Sequence, residues 1–234
     1  MRLRTAWLIG TFGLSTAVVC GQVPATPLDP ITALVDAFRS HEIVALAEGQ
    51  HKNEQGMAFR MALVRDSRFA DVVNDIVVES GSSLHQEVMD RFIRGDTVAD
   101  TSLRRAWQDT TQPDPVWDVP MYEEFFRAVR AVNDRLPPER RIRILLGDPP
   151  LDWDKAPTRE EWLRLNRDAF AAALIQREVV TKRRRALVIY GGGHLARGPS
   201  PGGGNLVARL EASSQPPRIF SVWTHTQGGE LREL

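Results

Sequence analysis

Short, wholly apolar runs alternate with amphipathic ones along most of the chain. Residues 43–47, 75–79, 142–146, 186–190 and 219–223 are five runs of five residues each, mainly apolar and rich in Ile, Val, Leu and Ala, the length and content of buried strands. Between them the apolar positions recur at helical spacing, as with Met57, Met61 and Val64 in residues 55–66, or Leu84, Val88, Met89 and Phe92 in residues 82–94. Further helices are predicted over residues 31–40, 102–107, 122–136, 160–182 and 205–212. Strands without polar alternation, separated by helices, predict an α/β fold: a mainly parallel β-sheet flanked by helices on both faces. No internal repeat or low-complexity segment interrupts the pattern. The exception is residues 108–120, where Pro113, Pro115 and Pro120 break the periodicity beside Trp107 and Trp117. A loop of that length in a compact domain reads as a lid over a site or as a segment packed on the sheet.

The start of the chain reads differently. Arg2 and Arg4 precede an uncharged stretch, residues 5–20, which is short for a membrane span and suits a signal peptide over residues 1–21. Cys20, the only cysteine, gives a second reading as a lipid-anchored signal, the one membrane attachment the chain offers. Residues 22–30 hold Pro24, Pro27 and Pro30 and read as a linker, leaving residues 31–234 as a single domain. The reading places the protein in the periplasm or outside the cell. With one cysteine there is no internal disulfide, and a thiol nucleophile or zinc–thiolate site is excluded for the mature domain. The 30 basic and 30 acidic residues balance, and no basic footprint suggests a nucleic-acid partner. The basic run Lys182-Arg183-Arg184-Arg185 reads as a solvated helix end.

In open parallel sheets, ligands bind beyond the carboxyl ends of the strands. The residues just past each strand are therefore the informative ones. Strand one runs into Glu48-Gly49-Gln50-His51, strand two ends in Glu79, strand three in Gly147-Asp148, strand four in Gly191-Gly192-Gly193-His194, and the last in Thr224-His225. Two glutamates, three histidines and an aspartate thus converge on one edge. A histidine can take a proton from water near neutral pH, and a neighbouring carboxylate fixes its tautomer. Glu48, His51, Glu79 and His194 could equally hold manganese, iron or zinc through oxygen and imidazole. The glycines beside His194 would let a substrate approach the backbone. Gly-x-Ser-x-Gly and His-Glu-x-x-His motifs are absent, which argues against an ordinary serine hydrolase and a zincin. Ser80, Ser82 and Ser83, just past strand two, read as helix caps.

Ala45-Leu46-Ala47-Glu48-Gly49-Gln50-His51 resembles the Gly-Glu-x-x-His segment of erythromycin esterase-like proteins, with Ala47 in place of the usual glycine. Arg60, nine residues after the histidine, Glu79 at the end of the next strand, Arg167-Asp168 in the helix before strand four, and His194 all match that pattern. Gly191 stands where those esterases carry another histidine. In size and export signal the chain is more similar to ChaN-type haem-binding lipoproteins, and Gly191–His194 resembles the Gly-x-x-His segment of Tiki and TraB proteins. The resemblance spans residues 43–223. It implies water-mediated hydrolysis of an ester, lactone or amide bond. His51 would be the general base, with Glu48 and Glu79 supporting it and Arg60 and His194 orienting the carboxylates or stabilising an oxyanion. Asp148, His225 and Gly193 would contact a small-molecule substrate. No cofactor is required for this chemistry, and a divalent metal is the one candidate. The alternative is a non-catalytic envelope protein binding haem or iron, with His194, His225 or Tyr190 as axial ligands.

Overall fold

The computed structural model describes residues 26–112, 116–198 and 204–224. The signal-peptide expectation, Cys20 and His225 lie outside the described residues. From Leu28 onward they belong to one compact unit.

Five strands form one sheet: β1 (Ile43–Ala47), β2 (Asp75–Ser82), β3 (Arg143–Asp148), β4 (Ala186–Tyr190) and β5 (Ile219–Val222). Their order is β3-β2-β4-β1-β5 and every pairing is parallel. The helices are α1 (Pro30–Ala37), α2 (Glu54–Arg65), α3 (Phe69–Val72), α4 (Gln86–Arg94), α5 (Asp100–Gln108), α6 (Pro120–Asn133), α7 (Arg159–Leu163), α8 (Arg167–Ile175), α9 (Gly192–Leu195) and α10 (Leu206–Glu211). The α/β expectation and all five strands stand.

Both faces of the sheet are covered, which is why the strands carry no polar alternation. Along β1, Val44 and Leu46 join a core with Leu34, Met57, Leu63, Phe92, Leu103 and Phe126, from helices α1, α2 and α4 to α6. Ile43, Ala45 and Ala47 point the other way, into a core with Ala171, Leu174, Ile175, Leu206 and Leu210 from α8 and α10. Side chains alternate across the sheet at period two, so one apolar run supplies two cores.

Three expectations are corrected. Strand β2 does not end at Glu79. It runs on to Ser82, and its pairing with β3 resumes at Ser82↔Asp148 after an irregularity beyond Val78. The hydroxyls of Ser82 and Ser83, read as helix caps, have no hydrogen-bond partner among the described residues. Residues 160–182 are not one helix. α7 ends at Leu163 with Arg164 as its C-cap, and Asn166 starts α8, its side chain accepting from the Ala169 N–H at 2.9 Å. That break puts Arg167 and Asp168 in the first turn of a new helix, aimed at the carboxyl ends of the strands.

Candidate active site

The strand-end residues of β1 and β4 come together around one backbone turn. A Cβ placed on Gly191 would lie 3.3 Å from Glu79 Oε2, 3.7 Å from His194 Cδ2 and 4.0 Å from His51 Cε1. Glu79 and both histidines therefore border the same glycine.

The first pair is Glu48 and His51. Glu48 is buried, and its Oε2 accepts from His51 Nδ1 at 3.1 Å. Its Oε1 accepts from the Tyr122 hydroxyl at 2.8 Å and from Arg60 at 3.4 Å. Arg60 also donates to the Glu48 backbone carbonyl and is itself buried, so it holds Glu48 from within the protein. With the carboxylate as acceptor, His51 carries its proton on Nδ1, and Nε2 is left as the basic nitrogen. The ring packs edge-on against Trp117, with centroids 4.3 Å apart, while its side chain stays 36% exposed. The hydrogen bond to Glu48 raises the His51 pKa above 6.5, burial opposing it.

The second pair is Glu79 and His194. Here the imidazole is clasped at both nitrogens: Nδ1 lies 2.7 Å from Asp168 Oδ1 and Nε2 lies 3.2 Å from Glu79 Oε1. Both nitrogens face carboxylates, so both donate and the ring is an imidazolium. Burial pushes its pKa down, but the two carboxylates outweigh it and hold it at about 9. Glu79 also accepts from Arg167 at 2.8 Å and from the Gly191 N–H at 2.6 Å. Burial alone would raise its pKa; His194, Arg167 and the Gly191 N–H together bring it to about 2.

Arg167 ties this pair to β3, donating to Asp148 Oδ1 at 2.8 Å. Asp148 also accepts from the Thr111 N–H at 2.5 Å and the Thr111 hydroxyl at 2.7 Å. It is buried with its oxygens occupied, and it anchors Arg167 and the 108–112 segment. Gly193 is open: a Cβ there would meet nothing within 4 Å. Of the segment read as a lid, residues 113–115 lie outside the described residues; Trp117 is buried between His51 and Tyr122.

The proposed metal set does not fit. Among the described residues no group of three or more His, Cys, Asp or Glu side chains is disposed to hold a metal ion. Glu48 and Glu79 spend their oxygens on Tyr122, Arg60, Arg167, the Gly191 N–H and their own histidines, and His194 has no free nitrogen. The same occupancy removes His194 as an axial haem ligand. Tyr190 is excluded by burial, its ring lying over the Gly147 backbone.

No family model matches the chain, and no curated protein sequence matches it. Its architecture is similar to that of solved toxin structures. The C-terminal region of Pasteurella multocida toxin, a structure reported to reveal a thiol-protease-like catalytic triad, superposes with a TM-score of 0.53 at 12% identity. The match covers 87% of this chain but 29% of that one. A structure of bacterial protein toxins gives a TM-score of 0.48 at 15% identity, over 81% of this chain and 38% of that one. At such identities what is shared is the α/β fold. The one cysteine of this chain, Cys20, lies outside the described residues.

Arg167, Asp168, Tyr122 and Trp117 were not among the sequence-predicted site residues. The Arg167-Asp168 dipeptide is marked in the sequence only as part of the family resemblance, within the helix before strand four. Trp117 stands in the proline-rich segment that reads as a lid or a packed loop, whereas Tyr122 has no local signal, because it reaches Glu48 from a helix 74 residues away.

Proposed function

We propose that the protein is a hydrolase of the erythromycin esterase-like/ChaN–Tiki superfamily that cleaves an ester, lactone or amide with water. The observation that carries this reading is the Glu48–His51 pair: a buried carboxylate fixes the tautomer of a partly exposed imidazole and leaves Nε2 as a base. In the proposed step, Nε2 takes a proton from water as the oxygen attacks the acyl carbon. The same proton then passes to the departing alcohol or amine. Glu48, held by Tyr122 and Arg60, stabilises the imidazolium that forms.

His194 has a different part in this scheme. As a cation at neutral pH it is no base, and it positions Glu79, which fixes the Gly191 N–H and the glycine turn. The uncharged run behind Arg2 and Arg4 supports action outside the cytoplasm, periplasmic or secreted.

The test is a screen of aryl esters, lactones and peptide-like amides on the wild-type protein, with His51→Ala as control. Turnover should fall about 10³-fold in the variant with an unchanged far-UV circular dichroism spectrum. Equal turnover by the two proteins removes His51 from the mechanism.

A further inference from the structure

The amino ends of the strands carry a cleft of their own. It holds about 740 Å³, and Glu42, Asn74, Arg185 and Arg218 on its walls immediately precede β1, β2, β4 and β5. Four arginines line it, Arg183, Arg184, Arg185 and Arg218, against one carboxylate, Glu42. Two of the four are engaged within the fold: Arg218 donates to both oxygens of Glu42, and Arg184 to both oxygens of the buried Asp75. Arg183 and Arg185 are exposed, and their guanidiniums have no hydrogen-bond or ion-pair partner among the described residues. Glu178, the nearest carboxylate along that stretch of chain, is already shared by Arg143, Arg177 and Lys182. The basic run read in the sequence as a solvated helix end is therefore divided: Lys182 and Arg184 have carboxylate partners, and Arg183 and Arg185 face the cleft.

Arg183 also stands where a side chain is least welcome. The helical stretch Gln176–Val180, which follows α8, closes through two backbone bonds: Arg183 N–H donates to the Val180 carbonyl at 3.0 Å and Arg184 N–H to the Val179 carbonyl at 2.9 Å. That closure puts Arg183 in the left-handed region, at φ 52°, a position that glycine ordinarily fills. The chain keeps a guanidinium on the cleft wall despite the backbone strain, and strain of this kind gathers at binding sites. Clustered guanidiniums repel one another, and an anion between them relieves the repulsion. Guanidinium groups pair bidentately with oxyanions. Two unpartnered charges match a dianion, and a phosphate monoester carries about −1.5 to −2 at neutral pH with three acceptor oxygens. The volume falls within the roughly 300–1,000 Å³ of small-molecule sites, and Val180, Pro216 and Pro217 offer an apolar wall for the body of such an ester.

We propose that this amino-end cleft binds a phosphate group, carried by a small ester or by a lipid headgroup, through Arg183 and Arg185. The site lies at the other end of the strands from the two carboxylate–histidine pairs and does not rest on the hydrolase reading.

The experiment has two arms on the full chain: isothermal titration calorimetry with sodium pyrophosphate, and cosedimentation with phosphatidylcholine vesicles containing phosphatidic acid. Saturable binding in the first arm alone identifies a free phosphate compound, and in the second alone a lipid headgroup; either upholds the proposal. Arg183→Gly and Arg185→Ala should each weaken binding about tenfold, the loss of one charge-assisted hydrogen bond. Arg159→Ala, the same loss of charge in α7, should leave it unchanged. Arg183→Gly should also hold or raise the urea midpoint, because glycine suits the left-handed turn, so its weaker binding is not a folding defect. No binding in either arm, acetate bound as tightly as pyrophosphate, full affinity in both Arg183→Gly and Arg185→Ala, or equal weakening by Arg159→Ala overturns the proposal.

Discussion

Two carboxylate–histidine pairs sit side by side at the strand ends, built from the same residue types, and the structure makes opposite things of them. Glu48–His51 is open. One imidazole nitrogen is committed, the other has no partner among the described residues, and the side chain is 36% exposed. Glu79–His194 is closed. Both nitrogens are held between carboxylates, Arg167 braces the same Glu79, and exposure falls to 23%. One carboxylate tunes a histidine as a base, whereas two carboxylates fix it as a cation. Partner count and burial, not residue identity, separate a reacting group from a structural one.

The largest effects should come from exchanging the two histidines' fates. His51→Ala should cost about 10³-fold in turnover and little in stability, since its ring is part-exposed. His194→Ala should do the reverse. It strips a cation from between Glu79 and Asp168, and breaking a buried charge pair costs about 3 kcal/mol. Urea midpoints and kcat measured on both variants check this. If His194→Ala lost turnover at unchanged stability, the division of roles would be wrong.

The closed pair also predicts a pH dependence. The folded state holds His194 at about 9 against an ordinary 6.5, so it binds this proton more tightly than the unfolded chain does. The stabilisation is complete below pH 6.5 and is lost as pH rises to about 9, amounting to about 3 kcal/mol. Glu79, depressed from 4.5 to about 2, reports the other side of the same interaction: its contribution is present above pH 4.5 and fades as pH falls toward 2. Urea denaturation between pH 6 and 9 should show a decline in wild type that His194→Ala lacks.

The open pair predicts a kinetic signature. His51 must be neutral to accept a proton, and the Glu48 hydrogen bond raises its pKa. Turnover should therefore rise with pH through an inflection above 6.5. Glu48→Gln removes the charge that raises it, so the inflection should move to lower pH. An inflection that stays in place would mean that Glu48 does not tune His51.

The sheet was legible because strands β1 to β4, buried on both faces, are mainly apolar, a signal that survives in five residues of sequence, and the part-exposed edge strand β5 still keeps Ile219, Phe220 and Val222. The rim was legible for a related reason: strand ends are short and Glu48, His51, Glu79 and His194 lie within four residues of them. What sequence concealed was long-range. The start of α8 at Asn166 rests on a local side-chain bond that helical periodicity does not register, so periodicity alone runs Arg167 and Asp168 into the middle of one helix, and only the family resemblance singles them out. Tyr122 reaches Glu48 across 74 residues, and nothing local to α6 marks it. Asp148 was read as a site residue because it ends a strand, but its neighbour in space is Thr111, which sits in the one stretch without periodicity.

The smallest effect, and the finest division of the open pair, concerns Tyr122. Its hydroxyl donates to Glu48 Oε1, the oxygen turned away from His51, while its ring packs edge-on against Trp117. Tyr122→Phe keeps the ring and removes one hydrogen bond, so stability should fall by about 1 kcal/mol. Oε2 still accepts from His51 and Arg60 still holds Oε1, so turnover should drop less than tenfold and the pH inflection should stay where wild type has it. A loss approaching that of His51→Ala, with stability intact, would make the hydroxyl a reacting group. The open pair would then be a triad of Tyr122, Glu48 and His51, not a tuned base with a passive support.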